Sequence, residues 1–180
     1  MQREINNIIN SLANGGVILY PTDTIWGLGC DSTNDKAIKK IFKIKKREEN
    51  KSLISLVSDK KHLQTITGNI PNIDITSEPT TIIYPSAVGL SKKLLAKNGS
   101  AAIRIVQDEF CQRFIRAFGK AIVSTSANIS GASIPKKFSE ISEEIKNNVD
   151  YIVDLRQDEL MTTPSKILLI NEDRSITKIR

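Results

Sequence analysis

Three short segments of this chain concentrate hydroxyl, amide and cationic side chains at the ends of apolar runs. The first is Pro21-Thr22-Asp23-Thr24-Ile25-Trp26-Gly27-Leu28-Gly29, directly after Val17-Ile18-Leu19-Tyr20. Two hydroxyls and a carboxylate at the C-terminal end of a strand suit a small polar ligand, and Gly27 and Gly29 let backbone approach it closely. The same residues also make an ordinary capped turn, because Thr and Asp bond their own backbone. The second segment is Lys45-Lys46-Arg47, followed by Lys51-Ser52-Leu53. Cations at the end of a helix oppose its dipole, and alternate cations leading to a further lysine also make a triphosphate clamp. The third is Ser124-Thr125-Ser126-Ala127-Asn128, at the end of Ala121-Ile122-Val123. Its hydroxyls and amide can bind phosphate oxygens or orient a metal-bound water, or form a plain Ser/Thr turn.

Several other chemistries are excluded. There is no G-x-x-x-x-G-K-[ST] loop and no G-x-G-x-x-G after a strand, so neither a P-loop nor a Rossmann dinucleotide site is encoded. His62 is the only histidine and Cys30 and Cys111 stand far apart. That leaves no Ser-His-Asp triad with a nucleophile elbow and no zinc ligand set. His62 reads as a surface residue on a lysine-flanked helix, and the two cysteines as reduced thiols.

The elements that must position these segments alternate between strand and helix. Ile5, Ile8, Ile9 and Leu12 have helical spacing, stopped by Gly15-Gly16. Asn34 or Asp35 caps a helix carrying Ala37, Ile38, Ile41 and Phe42, and Asp59 starts another. Leu90, Leu94 and Leu95 predict a helix ending at Asn98-Gly99, and Phe110, Phe114, Ile115 and Phe118 one ending at Gly119. A short helix is expected over 139–146. Strands are expected at 17–20, 53–57, 80–84, 101–105, 121–123, 151–153, 166–170 and 175–179, with a turn-rich loop over 67–79. The expected fold is α/β (α+β), a twisted sheet with parallel and antiparallel pairs flanked by helices, in one domain spanning 1–180.

The chain has 180 residues, 39% hydrophobic and 26% charged, with a net charge of +6 and a pI near 9.3. No apolar run approaches the roughly 18 residues of a membrane helix, and the polar start lacks a signal-peptide pattern, so a cytoplasmic protein without membrane contact is expected. The positive charge favours polyanionic partners such as RNA or nucleotides.

The strings P-T-D-T-x-x-G-L-G, K-x-R followed by Lys51-Ser52-Leu53, and S-x-N together resemble the three signature segments of the YrdC/TsaC family, over nearly the whole chain. That family usually carries Tyr where Trp26 stands, and Pro where Glu48 and Ser52 stand. The resemblance implies a YrdC-like fold and a nucleotidyltransferase that makes threonylcarbamoyl-adenylate and pyrophosphate from L-threonine, bicarbonate and ATP, for tRNA threonylcarbamoyladenosine. It implies Lys45, Arg47, Ser126 and Asn128 as catalytic residues. Thr24, Arg104, Ser124 and Ser165 would hold L-threonine; Arg47, Lys51, Ser100, Ser126 and Arg180 would hold ATP. Mg²⁺ would be carried by ATP rather than by a protein cage, with no organic cofactor. The partners implied are a threonylcarbamoyl transferase machinery and tRNA or double-stranded RNA. Three stretches depart from the family pattern: Ser77-Glu78-Pro79-Thr80 replaces W-P-G-P, Arg156-Gln157-Asp158 replaces a double glycine, and Asp108-Glu109-Phe110 replaces a histidine-proline. A second reading of the same fold is a non-catalytic binder of tRNA or double-stranded RNA. The +6 charge favours it, although aromatics at 5% supply base stacking poorly.

Overall fold

The computed structural model describes residues 1–49, 53–75 and 77–180. In chain order the elements are α1 (Gln2–Ala13), β1 (Ile18–Tyr20), β2 (Gly27–Asp31), α2 (Asp35–Ile44), β3 (Ile54–Val57), α3 (Lys60–Thr67), β4 (Thr80–Tyr84), β5 (Ala101–Ile105), α4 (Glu109–Phe118), β6 (Ile122–Ser126), α5 (Glu143–Lys146), β7 (Tyr151–Ile152), β8 (Lys166–Ile170) and β9 (Ile176–Lys178). Among the described residues nine strands form one mixed sheet, in the order β7-β1-β2-β6-β3-β5-β4-β8-β9. The pairs β1–β7, β3–β5 and β4–β8 are parallel and the others antiparallel. No helix among these residues is long and apolar enough to cross a membrane.

Helix boundaries follow their caps. Asn34 accepts from the Lys36 and Ala37 amides, Asp59 from His62 and Asp108 from Cys111. Gly68 and Gly119 end α3 and α4 in the left-handed conformation that a Cβ disfavours. Buried side chains of α2 pack with Leu28, Cys30 and Val123 on one sheet face, and Leu63 and Ile66 of α3 join Val57 and Ile103 on the same side. Helices α1 and α4 cover part of the other face, around Ile18, Tyr20, Leu56 and Ile122. What they leave uncovered becomes the cavity described below.

Four expectations change. Residues 27–31 form the strand β2, which is buried throughout. Gly29 serves sheet packing, since a Cβ there would stand 2.7 Å from Tyr20 Cε1 and 2.8 Å from the Val123 carbonyl oxygen, whereas Gly27 borders the cavity described below. The Leu90–Leu95 helix is only a 3-10 turn at Lys92–Leu94, because Ser91 donates its amide to Ser32 and its hydroxyl to Asp35 Oδ1. The predicted helix over 139–146 divides into a 3-10 turn, Phe138–Glu140, and α5. His62 is half-buried rather than on the surface; burial lowers its pKa, and its Nδ1 lies 3.3 Å from Ser58 Oγ.

Candidate active site

A cavity of about 290 Å³ opens on the sheet face that α1 and α4 leave bare. Its floor follows the strand register. Gly27 pairs with Ser126, Ser124 with Ile54, Ile54 with Ala102, and Thr81 with both Arg104 and Ile167. Residues two apart on a strand share a face, which brings Ser124 and Ser126 together, and likewise Ala102 and Arg104. Gly27 and Ala102 keep the floor low. Among the described residues the lining carries three arginines, Arg47, Arg104 and Arg180, and seven hydroxyl residues, and no acidic side chain. Such a lining attracts anions and supplies them with charged and neutral donors.

The loop from Pro21 to Trp26 forms one wall. Thr22 Oγ1 organises it, accepting from the Thr24 and Ile25 amides at 3.0 and 3.3 Å and lying 2.9 Å from Thr24 Oγ1. This is the capped turn the sequence allows, and both threonines also border the cavity. Arg104 is 4% exposed, and its Nη1 donates to Asp23 Oδ1 at 2.5 Å. Its Nη2 reaches Thr24 Oγ1 at 3.4 Å. Asp23 also accepts the Gln107 amide at 2.9 Å. A guanidinium has five N–H donors, so donors remain on Nη1 and Nη2 for a bound carboxylate.

Opposite stands the end of α2, which closes in a six-to-one capping motif without glycine. The Arg47 amide donates to the Phe42 carbonyl at 2.9 Å and Lys46 to that of Lys43 at 3.1 Å. Lys46 occupies the left-handed position at φ +49. That turn sends the neighbouring side chains different ways. Arg47 borders the cavity, and burial lowers its pKa. Lys45 is 1% exposed and outside the cavity lining. Its ammonium donates to the Ser126 carbonyl, to the Asn128 carbonyl at 2.7 Å and to Asn128 Oδ1 at 3.3 Å. Burial draws its pKa down to about 7, with the Arg47 charge as a lesser cause. The three oxygens act in the opposite direction, because they bond the charged form.

Of the residues predicted from sequence, the cavity brings together Thr24, Arg47, Arg104, Ser124, Ser126, Ser165 and Arg180. Ser165 Oγ lies 2.8 Å from Thr81 Oγ1, and Arg180 donates through Nε and Nη2 to the Ser165 carbonyl at 3.1 and 2.8 Å. Lys45 and Asn128 lie behind the lining rather than on it. Ser100 stays outside it too, with its hydroxyl bonded to Asn98 Oδ1 at 2.8 Å. Lys51 falls outside the described residues. Sequence reasoning missed Thr81 and the buried partnership of Asp23. Thr81 had a signal in principle, since a polar residue inside the apolar run 80–84 asks for a partner. Ser124 and Ser126 belong to β6 itself, which removes the alternative of a plain Ser/Thr turn.

Two of the departures from the family pattern meet in space. Arg156, in the stretch that replaces the double glycine, has a left-handed φ of +57. Its Nη1 donates to Asp108 Oδ2 at 2.5 Å and its Nε to Glu159 at 2.7 Å. Asp108, in the stretch that replaces the histidine-proline, is at once the cap of α4 and the anchor of Arg156.

Fold and cavity together define an α/β protein with an arginine- and hydroxyl-lined cavity on an open sheet face. The model of the Sua5_yciO_yrdC family, described as "Telomere recombination", matches residues 10–180, and the chain belongs to that family. It is similar to the threonylcarbamoyl-AMP synthase of Pseudoalteromonas translucida, with 34% identity over 161 residues, 85% of this chain and 86% of that protein. The protein of the same name from Idiomarina loihiensis is 31% identical over 153 residues, 81% of this chain and 82% of that one. Among solved structures, E. coli YciO superposes with a TM-score of 0.80 at 22% identity, over 100% of this chain and 89% of that chain. P. abyssi Sua5 complexed with L-threonine superposes at 0.84 with 20% identity; it covers 100% of this chain, which spans 54% of that protein. The two structural likenesses bear on the fold.

Proposed function

We propose that this chain is an L-threonylcarbamoyladenylate synthase, converting L-threonine, bicarbonate and Mg-ATP to threonylcarbamoyl-AMP, pyrophosphate and water. The observation that carries this reading is a cavity that, among the described residues, is lined by three guanidiniums and seven hydroxyl residues, in a family whose similar members include threonylcarbamoyl-AMP synthases.

The threonine amine, carboxylated by bicarbonate, presents a carbamate oxygen to the α-phosphorus of ATP; the bond to the β-phosphate oxygen breaks and pyrophosphate leaves. Negative charge accumulates on the carbamate, the α-phosphate and the leaving group. Catalysis therefore rests on positioning and charge neutralisation. Arg104 receives the threonine carboxylate, with Thr24, Ser124 and Ser165 around the amino acid. Arg47, Ser126 and Arg180 face the phosphates. Mg²⁺ enters as part of the nucleotide substrate, held largely by its phosphates and by water.

The product is an acyl-adenylate mixed anhydride, so a transferase that delivers the threonylcarbamoyl group to tRNA is its natural consumer. Pyrophosphate release from Mg-ATP that requires both L-threonine and bicarbonate tests the proposal. Release without threonine, or none at all, overturns it. Absence of turnover with salt-steep binding of double-stranded RNA establishes the binder instead.

A further inference from the structure

The strings K-x-R and S-x-N place four polar residues at the site, but the fold does not treat them alike. Arg47 and Ser126 line the cavity, whereas Lys45 and Asn128 do not. Lys45 is a fully buried lysine, and among the described residues the acceptors of its ammonium belong to Ser126 and Asn128. Its own carbonyl accepts the Ser130 amide at 2.8 Å, so both ends of Lys45 grip the same loop. Asn128 passes the restraint onward: its Oδ1 accepts from Ser126 Oγ at 2.5 Å and its Nδ2 donates to the Ala132 carbonyl at 2.7 Å.

We propose that Lys45 and Asn128 are positioning residues that touch no substrate, and that they act through Ser126 by holding the end of β6 and sharing its hydrogen bond. This rests on the synthase reading. A serine hydroxyl has one proton. Here Ser126 donates it to Asn128 Oδ1, which leaves only lone pairs facing the cavity. To bond a phosphate oxygen, Ser126 must turn that proton outward. Asn128 Oδ1 then retains the Lys45 ammonium, 3.3 Å away, and no buried acceptor is orphaned. The ammonium thus makes the rotation of Ser126 inexpensive while its bonds to the two carbonyls keep the strand end in place.

The test is a double-mutant cycle on pyrophosphate release from Mg-ATP, L-threonine and bicarbonate. Lys45→Met and Ser126→Ala should each lower kcat by about 10- to 100-fold, as loss of a transition-state donor does. Because one acts through the other, the double variant should fall no more than about threefold below the worse single variant. Lys45→Met combined with Thr24→Ala, which acts on the other substrate, should instead multiply. The KM for L-threonine should change less than about threefold in Lys45→Met, a split that general loosening of the fold would not give. If Lys45→Met has no cooperative melting transition, the cycle of Asn128→Ala with Ser126→Ala decides by the same criterion. Multiplying losses in the Lys45–Ser126 cycle, or in its Asn128 substitute, overturn the inference alone. A wild-type chain that releases no pyrophosphate overturns the synthase reading, and this inference with it.

Discussion

Asp23 and Arg104 form a nearly dry ion pair at the rim of the cavity, 2.5 Å from Oδ1 to Nη1, with side chains 9% and 4% exposed. Asp23 offsets the charge that Arg104 would otherwise bring and fixes the plane of its guanidinium. Because it also takes the Gln107 amide, it ties the loop after β1 to the loop after β5.

Replacing Asp23 with Asn leaves a buried guanidinium without its counter-charge, which costs about 3 kcal/mol in comparable pairs. Urea denaturation of Asp23→Asn should show a loss of that order. The KM for L-threonine should rise as Arg104 loses its orientation. An unchanged midpoint would mean that the pair contributes nothing net.

Arg47 is the cavity cation at the end of α2. Arg47→Ala should reduce pyrophosphate release by roughly 100-fold or more, in line with removal of a donor to developing charge. Its thermal midpoint should stay close to wild type, because the side chain is only partly buried. Arg47→Lys should recover part of the loss, as a point charge replaces a fork.

Gly29 lies beneath the Tyr20 ring. A methyl group there meets one ring carbon and one carbonyl oxygen below 3 Å. Gly29→Ala should destabilise by about 1–3 kcal/mol through overpacking, read as a shifted denaturation midpoint. Gly131→Ala is the contrast, since no neighbouring atom lies within 4 Å and only its positive φ opposes a side chain.

Lys46 holds a left-handed conformation and spends its ammonium on an exposed pair with Glu144 at 2.8 Å. Relief of the backbone should outweigh loss of that pair, so Lys46→Gly should gain roughly 0.5 kcal/mol. Calorimetry against the wild type would detect it, and ATP turnover should be retained.

Lys45 makes stability depend on pH. Its folded pKa is drawn down to about 7 by burial and by Arg47. An unfolded lysine titrates near 10.4, so between these values the unfolded chain binds the additional proton. Unfolding free energy therefore rises as pH increases through that window. The wild type should gain stability between pH 7 and pH 9 relative to Lys45→Met, and parallel midpoints for the two proteins would contradict this.

Much of the architecture was legible in the sequence because strong periodicity and caps agree: Asn34, Asp59 and Gly119 stand where α2, α3 and α4 begin or end. β2 was not legible, since Gly27-Leu28-Gly29 is rich in glycine, a poor strand former, and its stability comes from neighbours on both sides. The cavity members Thr24, Arg47, Arg104 and Ser126 could be named from the motifs. Their division into lining and supporting residues could not, because Lys45 and Arg47 are chemically similar cations two positions apart. Only the left-handed turn at Lys46 separates them. The pairing of Asp23 was illegible for a related reason: its partner Arg104 is 81 residues away, a distance that no local pattern spans.

The contact between Asp108 and Arg156 has a bearing on protein engineering. These two sites work as a lock and key within one chain. A chimera that imports the glycine version of one segment from a relative, but keeps Asp108, inherits an acid with no basic mate. A graft that imports the histidine version, but keeps Arg156, leaves its guanidinium held by Glu159 alone. Segments around α4 and the loop after β7 should therefore be exchanged as a matched set, never singly.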